Sequence, residues 1–286
     1  MIKRLAEAGA FMHPRLLPEG DVFAARFESA RYTRPDVALP RNLANPPITE
    51  ALIDIRSPIR TDISAATFAN VRSRLSARFP KVDEQHAFQA QFEVRDAQPR
   101  TQSKQLGFHG LHFKTSDGLT IAQFRRDGFT VNRLRPYFGW QTLFETAMEL
   151  FPLYVEATRI ERIGRIAVRY INHLNLPISS GSPLADNLTA VPPTPPGLPA
   201  TLSAFLSRIS LFDAEHTLQA NFTQSLESVA GTDYPKVLLD IDAFADITET
   251  ASLADVQLAE ELNNLRELKN RIFFAALTER AVEFFT

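Results

Sequence analysis

The stretch of sequence that decides the fold is "DGLTIAQFRRDGFTVNRLRPYFGW", residues 117–140. It holds two Asp-Gly pairs, at 117–118 and 127–128, and each follows a segment in which apolar and polar residues alternate. Alternation is the period of a half-buried strand. Asp-Gly between two such segments is a strong hairpin signal, because a type I′ turn needs positive φ at both central residues. The stretch predicts an antiparallel meander that runs into a helix beginning near Trp140.

The sequence on either side of this meander follows the same two periodicities. Upstream it predicts a strand at 50–56, a helix from Ser64 to Pro80 and a strand at 86–95. Downstream it predicts that Pro152 kinks or ends the helix that starts at Trp140, because proline lacks an N–H. Further strands are predicted within 163–176 and, as a set of three, within 202–246. A long final helix is expected from 252, where Ser252 and Asp255 have the spacing of a capping box.

The order of these elements predicts the fold class. The first half reads strand, helix, four strands, helix, and the second reads strand, irregular connection, three strands, helix. We therefore expect an α+β protein with antiparallel sheets in two degenerate β-(α)-βββ(β)-α repeats, each backed by a long helix. The expected boundaries are an N-terminal arm at 1–47, a first repeat at 48–160 and a second repeat at 161–286. A Pro-rich loop is expected at 177–200.

Composition excludes several classes of function. The 286 residues contain no cysteine, which excludes disulfides, thiolate nucleophiles and sulfur-ligated metals and is typical of a reducing cytoplasm. The formal net charge of −2 provides no global field towards nucleic acid or anionic lipid. No apolar run approaches the ~18 residues that span a bilayer, and the N-terminus lacks a secretory apolar core. We expect a cytoplasmic protein without a membrane partner.

Arginines supply the main candidate binding site. Arg165, Arg169 and His173 share one face of a predicted strand, because side chains two positions apart point the same way. Arg133 and Arg135 lie on a strand that can neighbour it, and Tyr170 adds an aromatic ring. Together they predict a basic surface for a phosphate, a carboxylate or an acidic partner. The alternative is a solvated sheet face on which these charges only keep the protein soluble.

Other chemistry is weakly indicated. Asp240 and Asp242 fall on one side of a strand and are the only candidate Mg²⁺ ligands, although no third oxygen ligand accompanies them and a polar strand face explains them equally. No nucleophile, Walker or dinucleotide motif occurs, so neither a catalytic residue nor a cofactor is predicted. Trp140 is either a core ring between helix and sheet or a rim residue of a cavity beneath a helix.

Four motifs occur in order along the chain: "NPPITEALIDIR", "FRRDGFTVNRLRPYFGW", "RIGRIAVRYIN" and "VLLDIDAF". With these motifs the chain, from about Asn45 to the C-terminus, resembles an uncharacterised family of bacterial proteins that occurs sporadically among genomes. The resemblance implies little about activity. Patchy distribution is associated with mobile, toxin–antitoxin or phage-defence loci, and so implies an interaction role by analogy.

Three functions are consistent with these observations. The first is a non-enzymatic binding protein that recognises another protein, encoded by a neighbouring gene, through its sheet surface and N-terminal arm. Formation of a homo-oligomer is also compatible with this reading. The second is a small-ligand or nucleotide binder, with possible hydrolase activity, that uses a pocket lined by Arg133, Arg165, Arg169 and Tyr170. The third is a nucleic-acid binder with a saddle-like sheet, which the near-neutral charge disfavours.

Overall fold

The structure is a computed structural model. It describes residues 36–95, 98–176, 183–197, 202–227, 236–247 and 253–286, without the side chains of 88–106 and 255. All of these residues belong to one compact unit, Pro35–Thr286. Residues 1–35 and the two ends of the predicted Pro-rich loop, 177–182 and 198–200, therefore lie outside the described part. The alternation predicted along 88–94 concerns side chains that are not described.

Nine strands form one antiparallel sheet within the described residues, in the order β2-β3-β4-β5-β1-β6-β9-β8-β7. The strands are β1 (Ile48–Arg56), β2 (Lys81–Arg95), β3 (Gln98–Lys114), β4 (Thr120–Arg125), β5 (Gly128–Leu134), β6 (Arg165–Leu174), β7 (Phe205–Asp213), β8 (Leu218–Glu227) and β9 (Lys236–Asp246). The predicted α+β class with antiparallel strands is confirmed. The sheets that we expected to be separate are one, because β1 pairs with β6 and places Ile53 opposite Val168.

The helices among the described residues are α1 (Ala69–Leu75), α2 (Trp140–Thr158), α3 (Leu258–Ala275) and α4 (Glu279–Glu283). Of the two effects predicted for Pro152, a kink or the end of the helix, the end is wrong, since α2 continues past it to a left-handed cap at Arg159. The long helix expected from 252 is α3, which begins at Leu258, and Ser252 lies outside the described residues. None of the described helices combines the length and the apolar character needed to cross a membrane.

Both predicted hairpins form, but neither turn is the expected type I′ turn. In the first, Gly118 has a positive φ and Asp117 does not. In the second, the two central residues are not Asp127 and Gly128. Arg125 pairs with Gly128, so the two loop residues are Arg126 and Asp127. Glycine is required at 128 for another reason: its φ is +150°, and a Cβ there would lie 2.3 Å from the carbonyl oxygen of Ile55 on β1. Glycine at position 128 thus reflects the close approach of the backbones of β5 and β1 rather than a type I′ turn.

The two faces of the sheet differ in chemistry. On one face the central residues Ala51, Ile53 and Ile55 are essentially inaccessible to solvent, and they pack beneath α2 and α3. Edge-to-face aromatic contacts extend this core, for example between Phe124 and Phe129, whose ring centroids are 5.3 Å apart. We call this the covered face. The other face, which we call the open face, carries the polar and charged residues of the same strands.

A charge network holds the centre of the open face together. Asp54 and Arg125 are each only 5% exposed. One oxygen of Asp54 accepts hydrogen bonds from Arg125 Nη2 at 2.9 Å and from Thr130 Oγ1 at 2.5 Å, and the other accepts from Arg56 Nε at 2.6 Å. Burial alone would raise the pKa of Asp54, but Arg125 and Thr130 outweigh it, so the pKa is lowered. This carboxylate is ionised and fully compensated.

We expect Asp54→Asn to reduce the free energy of unfolding at neutral pH by on the order of 3 kcal/mol, because it leaves Arg125 buried without its main counter-charge. The folded pKa of Asp54 is lowered. The stability that the ionised Asp54 contributes is therefore complete above its unfolded pKa near 3.8, and it is lost as the pH falls through its folded pKa. Urea unfolding from pH 7 to pH 3 should show the two proteins converging. Asp62→Asn, which breaks an exposed pair with Arg60, is the control and should change little. Equal stability of Asp54→Asn and wild type at pH 7 would contradict this account.

Candidate functional site: a cationic cavity beneath the last long helix

A cavity of about 610 Å³ lies on the covered face. Its walls are the middle of α3, the start of α2, the segment 40–48 that leads into β1, and the centre of β6. Three cationic side chains and no aspartate or glutamate line it among the described residues, and the cations are Arg41, Arg266 and Lys269. Such a lining creates a positive potential that favours a bound anion.

Helical spacing explains how α3 contributes five lining residues. Arg266, Lys269, Asn270, Phe273 and Phe274 are separated by three, one, three and one positions, which places them on one side of the helix. The neighbouring leucines of α3 pack against the sheet and hold this side at a fixed distance from it. Tyr170 enters the cavity from below, because every second residue of β6 points to the covered face.

Lys269 is the central group of the site. It is only 9% exposed, and its Nζ lies 3.9 Å from the centroid of the Tyr170 ring and 2.5 Å from Oδ1 of Asn270. An ammonium group has three donors, and no carboxylate of the described residues forms an ion pair with it. Burial, and to a smaller extent the charge of Arg266, lowers the pKa of Lys269 to about 7.

Two tyrosines form a hydrogen-bonded pair beside this lysine. The hydroxyl oxygens of Tyr137 and Tyr170 are 2.6 Å apart, and the rings meet edge to face at 5.5 Å. Burial raises the pKa of Tyr137 to about 12 and that of Tyr170 well above its ordinary value. Both hydroxyls therefore carry their protons near neutral pH. One of the two hydroxyl protons forms the hydrogen bond between the tyrosines, and the other is not used in that bond and can be donated to a ligand.

The two arginines of the cavity differ in their partners. Arg41 forms an ion pair with Glu279 of α4, which neutralises it. The guanidinium of Arg266 lies 5.8 Å from the centroid of the Trp140 ring, and it has no carboxylate partner among the described residues. Arg266 and Lys269 are thus the two uncompensated cations of the site.

The start of α2 adds a further partial positive charge. Gly139 is the N-cap and has no side chain to accept a hydrogen bond from the first turn, which also contains no acidic residue. Gly139 and Trp140 both line the cavity. The unpaired N–H groups of a helix N-terminus favour an anion, and here they supplement the two cationic side chains.

The structure separates the six residues that the sequence predicts as a binding site. Tyr170 lines the cavity, whereas Arg165, Arg169 and His173 alternate with it along β6 and point to the open face. The predicted pocket that combines Tyr170 with these arginines is therefore not formed.

The remaining two predicted residues lie beyond the cavity. Arg133 is on the covered face with its guanidinium carbon 4.3 Å from the centroid of the Phe138 ring, and its buried Nη2 has no hydrogen-bond partner among the described residues. Arg135 is exposed beyond the end of β5.

The open-face arginines are paired with the aspartates that the sequence offered as metal ligands. Arg165 donates two hydrogen bonds to Asp242, and Arg169 donates two to Asp240, at distances between 2.6 and 2.9 Å. Together with Arg56, Arg125, Asp54 and Asp127 they form a network of four arginines and four aspartates. Its charge is balanced within the protein, unlike that of the cavity.

The sequence contains a signal for Lys269 that alternation arguments overlook. Leu265, Ile272 and Ala276 belong to the apolar stripe of the last helix, and Lys269 stands four positions after the first and three before the second. A lysine in the register of an apolar stripe is either paired or functional, because a buried ammonium is costly.

Comparisons with protein-family models and with curated proteins find no match for this chain.

We expect Lys269→Met to make the protein more stable at pH 7, because the wild-type protein buries a charge that methionine lacks. The pKa of Lys269 falls from 10.5 to about 7 on folding. The unfolded chain therefore binds more protons between these values, and wild-type stability rises with pH across this window. The variant should be more stable by roughly 2–4 kcal/mol near pH 7, and the difference should shrink towards pH 10. Urea unfolding of both proteins measures it, and the pH effects of Tyr137 and Tyr170 cancel in the difference.

The exposed Lys236 supplies the control, since Lys236→Met should leave the pH dependence of unfolding unchanged. A Lys269→Met protein that is less stable than wild type at pH 7 would show instead that the ammonium group is compensated.

Proposed function

We propose that this protein binds a small organic anion, a phosphate or carboxylate with a flat apolar part, in the cavity beneath α3. The observation that carries the proposal is the lining of that cavity by Arg266 and Lys269 without any aspartate or glutamate among the described residues. A cavity with this lining is complementary to a negative charge.

The energetics of burial support an anionic ligand. Lys269 is largely removed from water, and its described contacts are a ring and an amide oxygen, neither of which carries a full negative charge. A bound anion would offset the cost of keeping the ammonium ionised, and would raise its pKa again. Binding should therefore be coupled to the uptake of a proton above pH 7.

The size and the apolar part of the cavity support a ligand with a ring. Its volume of about 610 Å³ lies within the ~300–1,000 Å³ of small-molecule sites. Phe138, Trp140 and Phe273 supply aromatic surface beside the cations. Nucleotides and aromatic carboxylates both belong to this class. The nucleotide-binding reading of the sequence is thus retained, with Arg266 and Lys269 in place of the arginines first assigned to it.

The arrangement of strands supports a finer description of the fold. We infer that the sheet is a degenerate duplication, because in each half the first strand pairs with the last strand of the following meander. These pairs are β1 with β5 and β6 with β9, and a long helix follows each meander. A saddle that binds nucleic acid is the less favoured reading, since the arginines of the open face already have carboxylate partners.

Interaction with another protein is a second candidate function, and the edge strand β7 favours it. Four large apolar side chains of this strand are exposed: Leu206 at 74%, Ile209 at 46%, Leu211 at 38% and Phe212 at 65%. No described strand pairs with its outer side. An edge with this composition is a template for strand addition.

A second copy of the chain fits this edge. Antiparallel pairing about Ile209 would place Leu206 opposite Phe212 on one face and Ser207 opposite Leu211 on the other, so each exposed apolar residue gains a neighbour. Such self-association is compatible with a cytoplasmic interaction protein of a toxin–antitoxin or phage-defence locus, the setting that the family resemblance implies.

The ligand proposal predicts that anions change the fluorescence of Trp140, which is the only tryptophan in the chain and lines the cavity. Titration should show binding of a nucleoside monophosphate or an aromatic carboxylate, and much weaker binding of the uncharged nucleoside or carboxamide. Lys269→Met and Arg266→Met should each weaken binding at least about tenfold, whereas Arg72→Met on the exposed side of α1 should not. Wild-type affinity should fall as pH rises above 7, because Lys269 then loses its proton.

Equal affinity for charged and uncharged counterparts, or an unchanged affinity in both cavity variants, would refute the anion site.

The self-pairing proposal predicts a dimer in solution. Light scattering after gel filtration should give twice the mass of one chain for wild type. Ile209→Lys should give a monomer, because it places two ammonium groups against each other at the centre of the paired edge. Ile59→Lys changes an isoleucine that is more exposed than Ile209 and lies outside the sheet edge, and this variant should remain dimeric. A monomeric wild type at high concentration would exclude self-pairing.

A further inference from the structure

The amine of Lys269 has a second chemical capability beyond attracting a negative charge. We propose that Lys269 is a nucleophile that forms an imine with an aldehyde or ketone group carried by the anionic ligand. This inference rests on the proposed anion-binding function and adds a covalent step to it.

The position of Lys269 in the cavity supports this role. It belongs to the long helix α3, its side chain ends against the Tyr170 ring, and the residue lines the cavity while remaining 91% shielded from solvent. The described residues provide no carboxylate that would hold it permanently as an ammonium ion. With a pKa of about 7 when no anion lies against it, a large fraction of Lys269 is the neutral amine under neutral conditions, whereas an ordinary lysine is almost entirely protonated. The imine therefore requires the negative group of the ligand to lie at Arg266 and not against Lys269.

The reaction balances with the ligand carbonyl as the only co-reactant. The nitrogen lone pair attacks the carbonyl carbon, the C=O π bond becomes an alkoxide, and a proton passes from nitrogen to oxygen to give a carbinolamine. Loss of that hydroxyl as water, with one further proton from nitrogen, forms the C=N bond. No oxidation or reduction occurs, and hydrolysis reverses the sequence.

The neighbouring groups suit both the proton transfers and the ligand. The Tyr137–Tyr170 pair keeps one hydroxyl proton that is not used between the two tyrosines, and the Tyr170 ring of this pair lies against the Lys269 amine. Arg266, one turn earlier on α3, is free of described carboxylates and can hold the negative group of the ligand while the carbonyl meets Lys269. An anion and a carbonyl on one small molecule thus match the guanidinium of Arg266 and the amine of Lys269 on one side of the helix.

Reductive trapping tests the proposal on the full chain. The protein is incubated near pH 7 with para-carboxybenzaldehyde and cyanoborohydride, and the adducts are located by intact mass and peptide mapping. The chain has six lysines, so the other five serve as internal controls. We expect a single dominant adduct on Lys269, formed roughly tenfold faster than on any other lysine. The para-carboxybenzyl alcohol, which keeps the anion but lacks the carbonyl, should slow the labelling by competition.

The outcomes separate the imine from the anion site. Binding of the alcohol to wild type is followed through Trp140 fluorescence. Lys269→Arg should lose the dominant adduct, whereas Lys236→Arg, which changes an exposed lysine outside the cavity, should retain it. Binding of the alcohol to wild type with labelling spread over the exposed lysines would overturn the imine and leave the anion site intact. If neither the alcohol nor the aldehyde binds, the imine and the anion site are both refuted. The distribution of label in wild type decides the question even if the variant does not fold.

Discussion

The antiparallel pairing of β1 with β6 is the interaction on which the rest of the structure depends. It joins the two halves of the chain into one sheet and fixes which residues of each strand share a face. Ala51 lies opposite Tyr170, and Leu52 lies opposite Arg169. A shift of one residue in this register would exchange the faces and bring arginines beneath the helices. The register therefore determines both the core and the location of every candidate functional group.

Buried ionised groups have different partners on the two faces of the sheet. On the open face, Asp54 and Arg125 are as inaccessible as many core residues, and each has several oppositely charged or hydrogen-bonding partners. On the covered face, Lys269 is almost equally buried, with a ring and an amide as its described contacts. The first cluster stabilises the fold, and the second reduces its stability. A destabilising charge in a cavity is the expected sign of a site that is completed by a ligand.

The sequence predicted the class of the fold and most strand positions, because alternation and hairpin signals are local. It did not predict that one sheet would form, since the pairing of β1 with β6 joins residues more than a hundred positions apart. Sequence reasoning identified Tyr170 and the cavity-rim alternative for Trp140, both of which lie at the cavity. It assigned the arginines of β6 to the same pocket as Tyr170, although alternation along one strand places them on the opposite face.

The sequence did not reveal Lys269 as a site residue, because its role depends on the absence of a nearby carboxylate in the folded protein. The sequence shows a lysine within an apolar stripe, but the lack of a carboxylate depends on which segments meet there: the start of α2, residues 40–48 and the centre of β6. These segments are far apart in the chain, and each is unremarkable alone. Their convergence leaves one side of α3 facing a space that water can fill but that no described acidic residue enters. The chemistry of the site thus follows from topology, which places a helical stripe of two cations and an amide over β6, where the Tyr170 ring lies against Lys269.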